Sequence, residues 1–271
     1  MKDILQNIIE NKRIELERQQ QAVSLNTLLA LGNERLERPT ISMRARLEAS
    51  ESGIIAEFKR KSPSKGWLHP KAAVKDVLPA YEAGGACACS VLTDGDFFGG
   101  SLGDLQTARG LVELPLLRKD FIIDAYQLYQ ARVLGADAVL LIAAVLSPKE
   151  CAALAELAHS LDLEVLLEIH TEEELEHLNE HVDMLGVNNR NLGSFHTDVE
   201  NSFRLAEKMK TVGETKGLNP LLLSESGLKD VETILRLRKA GFRGFLIGET
   251  FMRDEYPGEI LRNLINDIHH G

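Results

Sequence analysis

A carboxylate and an ammonium group stand two residues apart in an otherwise apolar stretch of the sequence, at Glu57 and Lys59. If residues 53–58 form a β-strand, this spacing places both side chains on the same face. Charges held together in a buried place shift each other's pKa, as acid and base catalysis requires. The SPSKG stretch that follows predicts a loop, because Pro63 donates no backbone hydrogen bond. We therefore interpret residues 57–66 as a catalytic segment.

Charged or amide side chains lie in, or directly after, other apolar stretches of the sequence. These candidates are Lys119, Glu168, Asn188, Arg190, Glu225 and Glu249. Any one of them could be a structural ion-pair partner. Two lysines and two glutamates at strand ends, in a sequence without a nucleotide or metal motif, favour acid and base work on a carbonyl or an enamine.

The elements that must hold these residues alternate regularly after residue 50. Short apolar, β-branched runs predict eight strands, at residues 53–58, 86–92, 115–119, 138–142, 164–169, 184–188, 221–224 and 244–247. Amphipathic runs between them predict eight helices, at residues 71–83, 102–111, 125–134, 148–160, 172–179, 198–209, 229–240 and 258–267. Thr171 followed by Glu174 predicts a capping box at the start of the fifth helix.

Eight strands, each followed by a helix, within about 220 residues predict an α/β fold of the (β/α)8 TIM-barrel class. An open doubly wound sheet is the competing architecture, but it usually carries a glycine-rich phosphate fingerprint after its first strand. This sequence has none there. Catalytic residues of such barrels gather at the C-terminal ends of the strands, which is where the candidates lie. Six charged clusters at one end are more than structural ion pairs would explain.

The first 50 residues do not fit the strand and helix repeat. Apolar residues within residues 3–20 are spaced as on one face of a helix. We expect this helix to cap one end of the barrel, with a solvated oligomerisation helix as the alternative. The chain is therefore interpreted as one domain, residues 1–271, in which residues 1–50 form an N-terminal helical extension.

A phosphate site is predicted beside the last two strands. Ser226-Gly227 and Gly248-Glu249 directly follow those strands, where backbone amides of TIM barrels commonly bind phosphate. Glycine lets the main chain approach the phosphate oxygens closely. We expect a small phosphorylated substrate, with its phosphate at this place and its reactive end near the two lysines.

The composition restricts the possible partners. A formal net charge of −10 argues against a nucleic acid or an anionic membrane as partner. No window approaches the roughly 20 apolar residues that span a bilayer, and the N-terminus lacks the apolar core of a signal peptide, so we expect a cytoplasmic protein. The cysteines, Cys87, Cys89 and Cys151, do not form a zinc-ligand pattern. No metal is predicted.

Several segments together resemble the indole-3-glycerol phosphate synthase family, a (β/α)8 family of tryptophan biosynthesis. They are IAEFKRKSPSKG at 55–66, SVLTDGDFFGGS at 90–101, LRKDF at 117–121, LEI at 167–169, GVNNRNL at 186–192, SESG at 224–227 and FLIGE at 245–249. The resemblance implies conversion of 1-(2-carboxyphenylamino)-1-deoxyribulose 5-phosphate to indole-3-glycerol phosphate, with loss of CO2 and water and without an organic cofactor. It also implies that the N-terminal helical segment covers the active-site end.

The resemblance further implies roles for individual residues. Lys119 matches the family's general acid. Lys59 matches a lysine that pairs with substrate anions and is also proposed as an acid, and Glu57 would keep it charged or act as a base. Glu168 matches a carboxylate of the proton transfers, and Glu225 matches a further active-site carboxylate.

The remaining positions that match the family would bind the substrate. Asn188 and Arg190 would orient its anthranilate end. The aromatic ring would be walled by Pro63, Phe98, Phe121 and Leu192. Anchoring and phosphate binding would fall to Ser62, Ser226, Gly227, Gly248 and Glu249, the last through its backbone amide.

Two further expectations concern charge and the alternative function. A buried ammonium near another cation should have a lowered pKa, and a carboxylate in an apolar barrel mouth a raised one.

The alternative function is a non-catalytic barrel that binds a phosphorylated metabolite, although every catalytic position of the family is retained. We expect a monomer, with a dimer as the alternative.

Overall fold

A computed structural model describes residues 4–191 and 196–270. Eight parallel strands close into a barrel: β1 Ile54–Phe58, β2 Ala88–Leu92, β3 Leu116–Lys119, β4 Ala138–Ile142, β5 Glu164–Ile169, β6 Met184–Asn188, β7 Leu221–Glu225 and β8 Gly244–Ile247. Strand β1 pairs with both β2 and β8, and this pairing closes the ring. The eight predicted strands are confirmed, each within two residues of its predicted ends.

Continuous burial explains why the strands read as apolar runs rather than as alternating patterns. Strands β1, β2 and β4 are buried along their whole length, because side chains fill the barrel inside and helices cover it outside. Polar residues appear where the strands end. The pairing register sets Asn188 of β6 opposite Glu225 of β7 and Ile142 of β4 opposite Glu168 of β5. Neighbouring strands therefore bring their polar ends together at one rim, which we call the mouth of the barrel.

The helices cover the outside of the barrel and extend the chain at its start. They are α1 Ile4–Ala22, α2 Leu25–Leu31, α3 Asn33–Leu36, α4 Met43–Ala49, α5 Val74–Ala83, α6 Leu102–Arg109, α7 Ala125–Leu134, α8 Pro148–Ser160, α9 Glu200–Lys216, α10 Val231–Lys239, α11 Glu249–Met252 and α12 Pro257–His270. None of the described helices is long and apolar enough to cross a membrane.

The connection after β5 differs from its prediction. In place of a helix over residues 172–179, the structure has a short 3-10 helix, Glu173–His177. One half of the predicted capping box is present, because the Glu174 carboxylate folds back and accepts hydrogen bonds from the backbone N–H groups of Thr171 and also of His170. The other half is missing, since no side chain caps the start of this turn. One carboxylate thereby binds the strand exit to the turn.

The helix predicted within residues 3–20 covers one end of the barrel, as expected, and a later part of the N-terminal segment covers the other end. Helix α1 lies at the mouth, where Ile8 packs in the interior cluster with Phe121 and Ile142. Helix α4 closes the opposite end, which we call the base, with Met43 and Leu47 fully buried. Two elements of one amphipathic segment, separated by a connector, are thus needed to shield the two open ends.

Hydrogen bonds at strand starts fix helix α4 against the base. The Glu164 carboxylate, at the first residue of β5, accepts from the Ser42 hydroxyl at 2.5 Å and from the Arg44 backbone N–H at 2.9 Å. The Arg44 guanidinium donates to the Asp183 carbonyl, directly before β6, at 3.2 Å. The helix therefore closes the barrel floor through specific polar contacts as well as apolar burial.

Candidate active site

One cavity at the mouth brings together fourteen of the sixteen residues predicted for the site. They come from the C-terminal ends of the strands and from the loops that follow, as TIM-barrel geometry requires. These lining residues are Glu57, Lys59, Pro63, Phe98, Lys119, Phe121, Glu168, Asn188, Arg190, Glu225, Ser226, Gly227, Gly248 and Glu249. The spacing of residues along the sequence thus predicted a real spatial cluster.

Two predicted residues are not placed in this cavity. Ser62 does not line it: its side chain is buried, and its hydroxyl has no hydrogen-bond partner among the described residues. Leu192 lies outside the described residues. Their roles in substrate binding stay predictions from the family resemblance.

Lys119 occupies the centre of the charged part of the site. Its Nζ lies 3.2 Å from Glu168 Oε2 and 3.4 Å from Glu225 Oε2. Both carboxylates are almost fully buried, so little water screens these interactions. Neither oxygen of Glu225 has a hydrogen-bond partner among the described residues. An ammonium with two carboxylates at one apolar mouth has the groups that acid and base catalysis uses.

The pKa shifts in this centre correct part of the sequence expectation. Burial alone would lower the pKa of Lys119, but the charges of Glu168, Glu225 and Glu57 outweigh it and raise that pKa above its ordinary value. The expected lowering is therefore wrong for Lys119, because its closest charges are carboxylates rather than a cation. Burial raises the pKa of Glu225 to about 7, against the attraction of Lys119 and with repulsion from Glu168 and Glu57.

The two carboxylates at Lys119 thus differ in protonation. Burial would also raise the pKa of Glu168, but the charges of Lys119 and His170 and a hydrogen bond from Asn188 lower it below its ordinary value. The expected rise is confirmed for Glu225 and wrong for Glu168. The environment of Glu168 therefore favours its ionised form, whereas Glu225, with a pKa raised to about 7, changes its charge near neutral pH.

The predicted pair on the first strand forms a second charged centre. Lys59 Nζ lies 2.5 Å from Glu57 Oε1, and Glu57 is 3 % exposed. Gly248 leaves the space that Glu57 fills, because a Cβ at that glycine would overlap the Glu57 carboxylate. The strand spacing of two therefore holds this ion pair at the mouth, as the sequence predicted.

The loops after β7 and β8 show the backbone expected of an anion site. Ser226 and Gly227 have φ angles of 68° and 79°, and a positive φ at serine is costly enough to suggest a functional reason. The Thr250 hydroxyl donates to the Leu228 carbonyl at 3.0 Å, which ties the two loops together. Arg190 is held beside them, with its guanidinium 2.8 Å from Glu249 Oε2.

An apolar wall faces these charged groups. The rings of Phe98 and Phe121 lie with their centroids 6.0 Å apart. Helix α1 completes the wall with Ile4, Leu5 and Ile8, which line the same cavity. This wall has the size and chemistry to hold an aromatic ring.

The sequence reasoning missed a buried ion cluster that anchors α1. Lys12 is 1 % exposed, and its Nζ lies 3.0 Å from Asp94 Oδ2 and 2.9 Å from Asp120 Oδ1. Asp120 follows Lys119 directly in the chain. The signal was present, since Lys12 lies four residues from both Ile8 and Leu16, on the buried face of α1. A lysine on an apolar helix face predicts a buried partner carboxylate.

Another residue that sequence reasoning missed is His170, the first residue after β5. Its Nε2 lies 3.5 Å from Glu168 Oε1 and its Nδ1 lies 3.6 Å from Glu174 Oε2. The available signal was its spacing of two from Glu168, which keeps both side chains on one side of an extended backbone. Among the described residues, no group of three or more His, Cys, Asp or Glu side chains could hold a metal ion.

Known proteins resemble this chain along nearly its whole length. Residues 5–264 match the sequence model of the indole-3-glycerol phosphate synthase family. An indole-3-glycerol phosphate synthase of Bacteroides thetaiotaomicron is 57 % identical over 268 residues, which cover 99 % of this chain and 100 % of that protein. The synthase of Polaromonas naphthalenivorans is 41 % identical and covers 98 % of this chain and 100 % of that protein.

Solved structures support the fold independently. A mutant form of the tryptophan synthase α-subunit of Pyrococcus furiosus superposes with a TM-score of 0.61 at 12 % identity, covering 81 % of this chain and 98 % of that one. At this identity the likeness concerns the barrel and not the activity. The family model and the two relatives lead to one assignment: the chain belongs to the indole-3-glycerol phosphate synthase family.

Proposed function

We propose that the protein closes the pyrrole ring of indole-3-glycerol phosphate. Its substrate would be 1-(2-carboxyphenylamino)-1-deoxyribulose 5-phosphate, which loses CO2 and water. The observation that carries this proposal is the position of Lys119, between the carboxylates of Glu168 and Glu225 in a cavity with an aromatic wall. This combination supplies an acid and a base on either side of one reacting carbon.

Lys119 is the proton donor of ring closure. As the aromatic carbon attacks the ribulose carbonyl, the carbonyl oxygen becomes an alkoxide, which is far more basic than an amine. A lysine with a raised pKa is fully charged before the reaction, so it stabilises the developing negative charge and then transfers its proton. Glu168 and Glu225 hold the ammonium in place at 3.2 and 3.4 Å.

Decarboxylation and dehydration complete the reaction. Loss of CO2 leaves its bonding electrons on the ring and restores its aromatic character. Lys59, which pairs with Glu57 at 2.5 Å, protonates the departing hydroxyl group. Glu168 removes the proton that allows the new double bond to form. The apolar wall and α1 keep water away from the iminium-like intermediate.

Substrate binding divides between the two sides of the mouth. The phosphate lies at the backbone of Ser226, Gly227 and Gly248, which line the cavity directly after β7 and β8. The ring lies against Phe98 and Phe121. A further set of matched positions, Ser62, Pro63, Asn188, Arg190, Leu192 and the Glu249 amide, orients the anthranilate carboxylate and anchors the sugar.

The assay of the purified protein with this substrate tests the proposal through the fluorescence of the indole product. Lys119→Ala should lower kcat by at least about 1,000-fold, because it removes the acid and its charge together. The exposed Lys75→Ala on α5 is the matched control and should match the wild type. An inactive wild-type protein that still binds the substrate would instead support the non-catalytic barrel. Near-normal turnover by Lys119→Ala would refute the acid assignment alone.

We also infer that the protein works in the cytoplasm as a monomer. The cavity of one chain already brings together both lysines, their partner glutamates and the aromatic wall that the proposed reaction uses. Light scattering of the purified protein tests this, and a dimer mass would contradict it.

A further inference from the structure

We propose that His170 acts through Glu168, as a positioning residue and as a proton relay between the mouth and the protein surface. The inference rests on the proposed synthase function, because it gives Glu168 its role as base. It assigns a task to a residue that lies outside the cavity lining.

Glu168 lies between two nitrogen groups, one at each carboxylate oxygen. Its Oε2 is 3.2 Å from Lys119 Nζ, and its Oε1 is 3.5 Å from His170 Nε2. The oxygen that faces the reacting groups is therefore distinct from the oxygen that faces the histidine. Glu168 can therefore exchange a proton with His170 through Oε1 while Oε2 stays beside the reacting groups.

The second ring nitrogen of His170 continues the path outward. Its Nδ1 is 3.6 Å from Glu174 Oε2, and the Glu174 side chain is 17 % exposed. The His170 backbone N–H donates to the same Glu174 oxygen at 2.5 Å. The short 3-10 turn thus holds a solvent-reaching carboxylate directly beside the ring.

The hydrogen bonding of the His170 ring fits a proton relay better than a purely structural role. Neither ring nitrogen has a hydrogen-bond partner among the described residues, although both are buried. A structural histidine usually satisfies at least one of them. His177 is a structural histidine of this kind, at the other end of the 3-10 turn that begins at Glu173. Both its ring nitrogens lie within 3.0 Å of backbone carbonyl oxygens. Distances of 3.5 and 3.6 Å need only a small movement to become hydrogen bonds.

The charges that act on the ring are carboxylates on three elements: Glu168 on β5, Glu174 on the turn and Glu225 on β7. Burial would lower the pKa of His170, but these carboxylates outweigh it and raise that pKa. The Asn201 side chain, from α9, donates to the His170 carbonyl at 3.0 Å and holds the backbone in place. An imidazole in this setting can both accept and donate a proton near neutral pH.

The proton balance of the reaction shows why a path is needed. The substrate carboxylate leaves as neutral CO2, so one proton must enter the site in each turnover. Lys119 and Lys59 each give one proton, and Glu168 recovers one from the substrate. After Glu168 returns that proton to a lysine, His170 Nε2 delivers the missing one through Glu168, and Nδ1 is refilled from Glu174 and water. No bond other than those to protons changes along this path.

The test compares His170→Asn with the wild type in weakly buffered solution. We expect kcat to fall about tenfold with KM changed less than about twofold, because the chemistry keeps its groups while the proton supply slows. Added imidazole should raise kcat of the variant in proportion to its concentration and leave the wild type unchanged. Glu174→Gln should lower kcat by less, about threefold, since water can replace the Glu174 carboxylate. This second variant tests the relay independently if His170→Asn misfolds.

His159→Asn is the matched control, because His159 pairs with Asp183 at 2.9 Å near the base of the barrel and should not affect kcat. The relay would be overturned if His170→Asn had the kcat of the wild type between about pH 6 and 9, or if added imidazole did not restore its lost kcat. In either case the active wild-type protein would still support the synthase function. An inactive wild-type protein would overturn both. If His170→Asn does not fold, an unchanged kcat of Glu174→Gln overturns the relay by itself.

Discussion

At the base of the barrel the buried carboxylate of Asp137 accepts four hydrogen bonds, whereas at the mouth the equally buried carboxylate of Glu225 accepts none from the described residues. The donors to Asp137 are the guanidinium groups of Arg38 and Arg109 and the backbone N–H groups of Ile41 and Leu116. Glu225 has only Lys119, at 3.4 Å. The same chemical group thus meets two opposite environments in one barrel.

The difference teaches what each end of the barrel does. A carboxylate whose oxygens are all satisfied is fixed in charge and position, and it stabilises the fold. A carboxylate that lacks donors is easily protonated, and it keeps its oxygens available for a substrate. We therefore expect changes at the base to affect stability and changes at the mouth to affect turnover.

The largest contrast should come from Asp137→Asn. The substitution removes the charge that two arginines share and points an amide at groups that only donate, so the free energy of unfolding should fall by about 3 kcal/mol. Urea unfolding measures this loss, and kcat at about 25 °C should stay within about twofold of the wild type. The exposed Asp267→Asn on α12 serves as control. A normal stability together with a strongly reduced kcat would break the division between base and mouth.

Two glycines at opposite ends of β8, Gly244 and Gly248, give a test with an effect of intermediate size. A Cβ at Gly248 would overlap the Glu57 carboxylate, whereas a Cβ at Gly244 would lie 2.6 Å from Leu223 Cγ. Gly248→Ala should therefore lower kcat/KM about tenfold by displacing the partner of Lys59, with little loss of stability. Gly244→Ala should lower stability by about 1 to 3 kcal/mol through overpacking, with near-normal turnover. The paired measurement is thermal unfolding and steady-state kinetics, and reversed effects would contradict the assignment of the two ends.

The smallest expected effect is the pH dependence of stability that Glu225 contributes. Its pKa is raised from 4.5 to about 7 in the folded protein, so the unfolded chain loses this proton at lower pH than the folded one. The contribution is fully present below pH 4.5 and is lost as pH rises to about 7, by on the order of 2 kcal/mol. Urea midpoints at about pH 5 and about pH 8 should therefore differ less for Glu225→Gln than for the wild type. An equal pH dependence in both proteins would mean that Glu225 is already ionised at the lower pH.

The sequence was sufficient for features that depend on local patterns. Eight apolar runs and their order predicted the barrel, and residues at strand ends, such as Lys119 and Glu225, predicted the mouth. The spacing of two between Glu57 and Lys59 correctly placed them in contact. These signals are strong because a parallel strand buried on both faces has a characteristic composition and its ends share one rim.

Features that depend on contacts across the fold could not be read in the same way. The direction of the Lys119 pKa shift follows from the closure of the barrel, which brings Glu168 of β5 and Glu225 of β7 close to Lys119 of β3. The sequence around Lys119 does not show that its nearest charges are carboxylates. A short 3-10 turn stands where a helix was predicted over residues 172–179, although the Thr171 and Glu174 spacing is typical of a capped helix. The position of α4 at the base depends on partners more than a hundred residues away, including Glu164 and Asp183.

The attachment of the first 50 residues to both ends of the barrel has a consequence for the order of folding. Their polar partners come late in the chain: Ile41 and Asp137 are 96 residues apart, Ser42 and Glu164 are 122, and Arg44 and Asp183 are 139. A helix such as α1 is marginal on its own, so it cannot seat before the loops that carry Asp94 and Asp120 exist. During synthesis this segment leaves the ribosome before the barrel strands and docks after them. The cover of the active site therefore arrives only after the barrel beneath it is built, and an incompletely folded chain has no closed site in which to start the reaction.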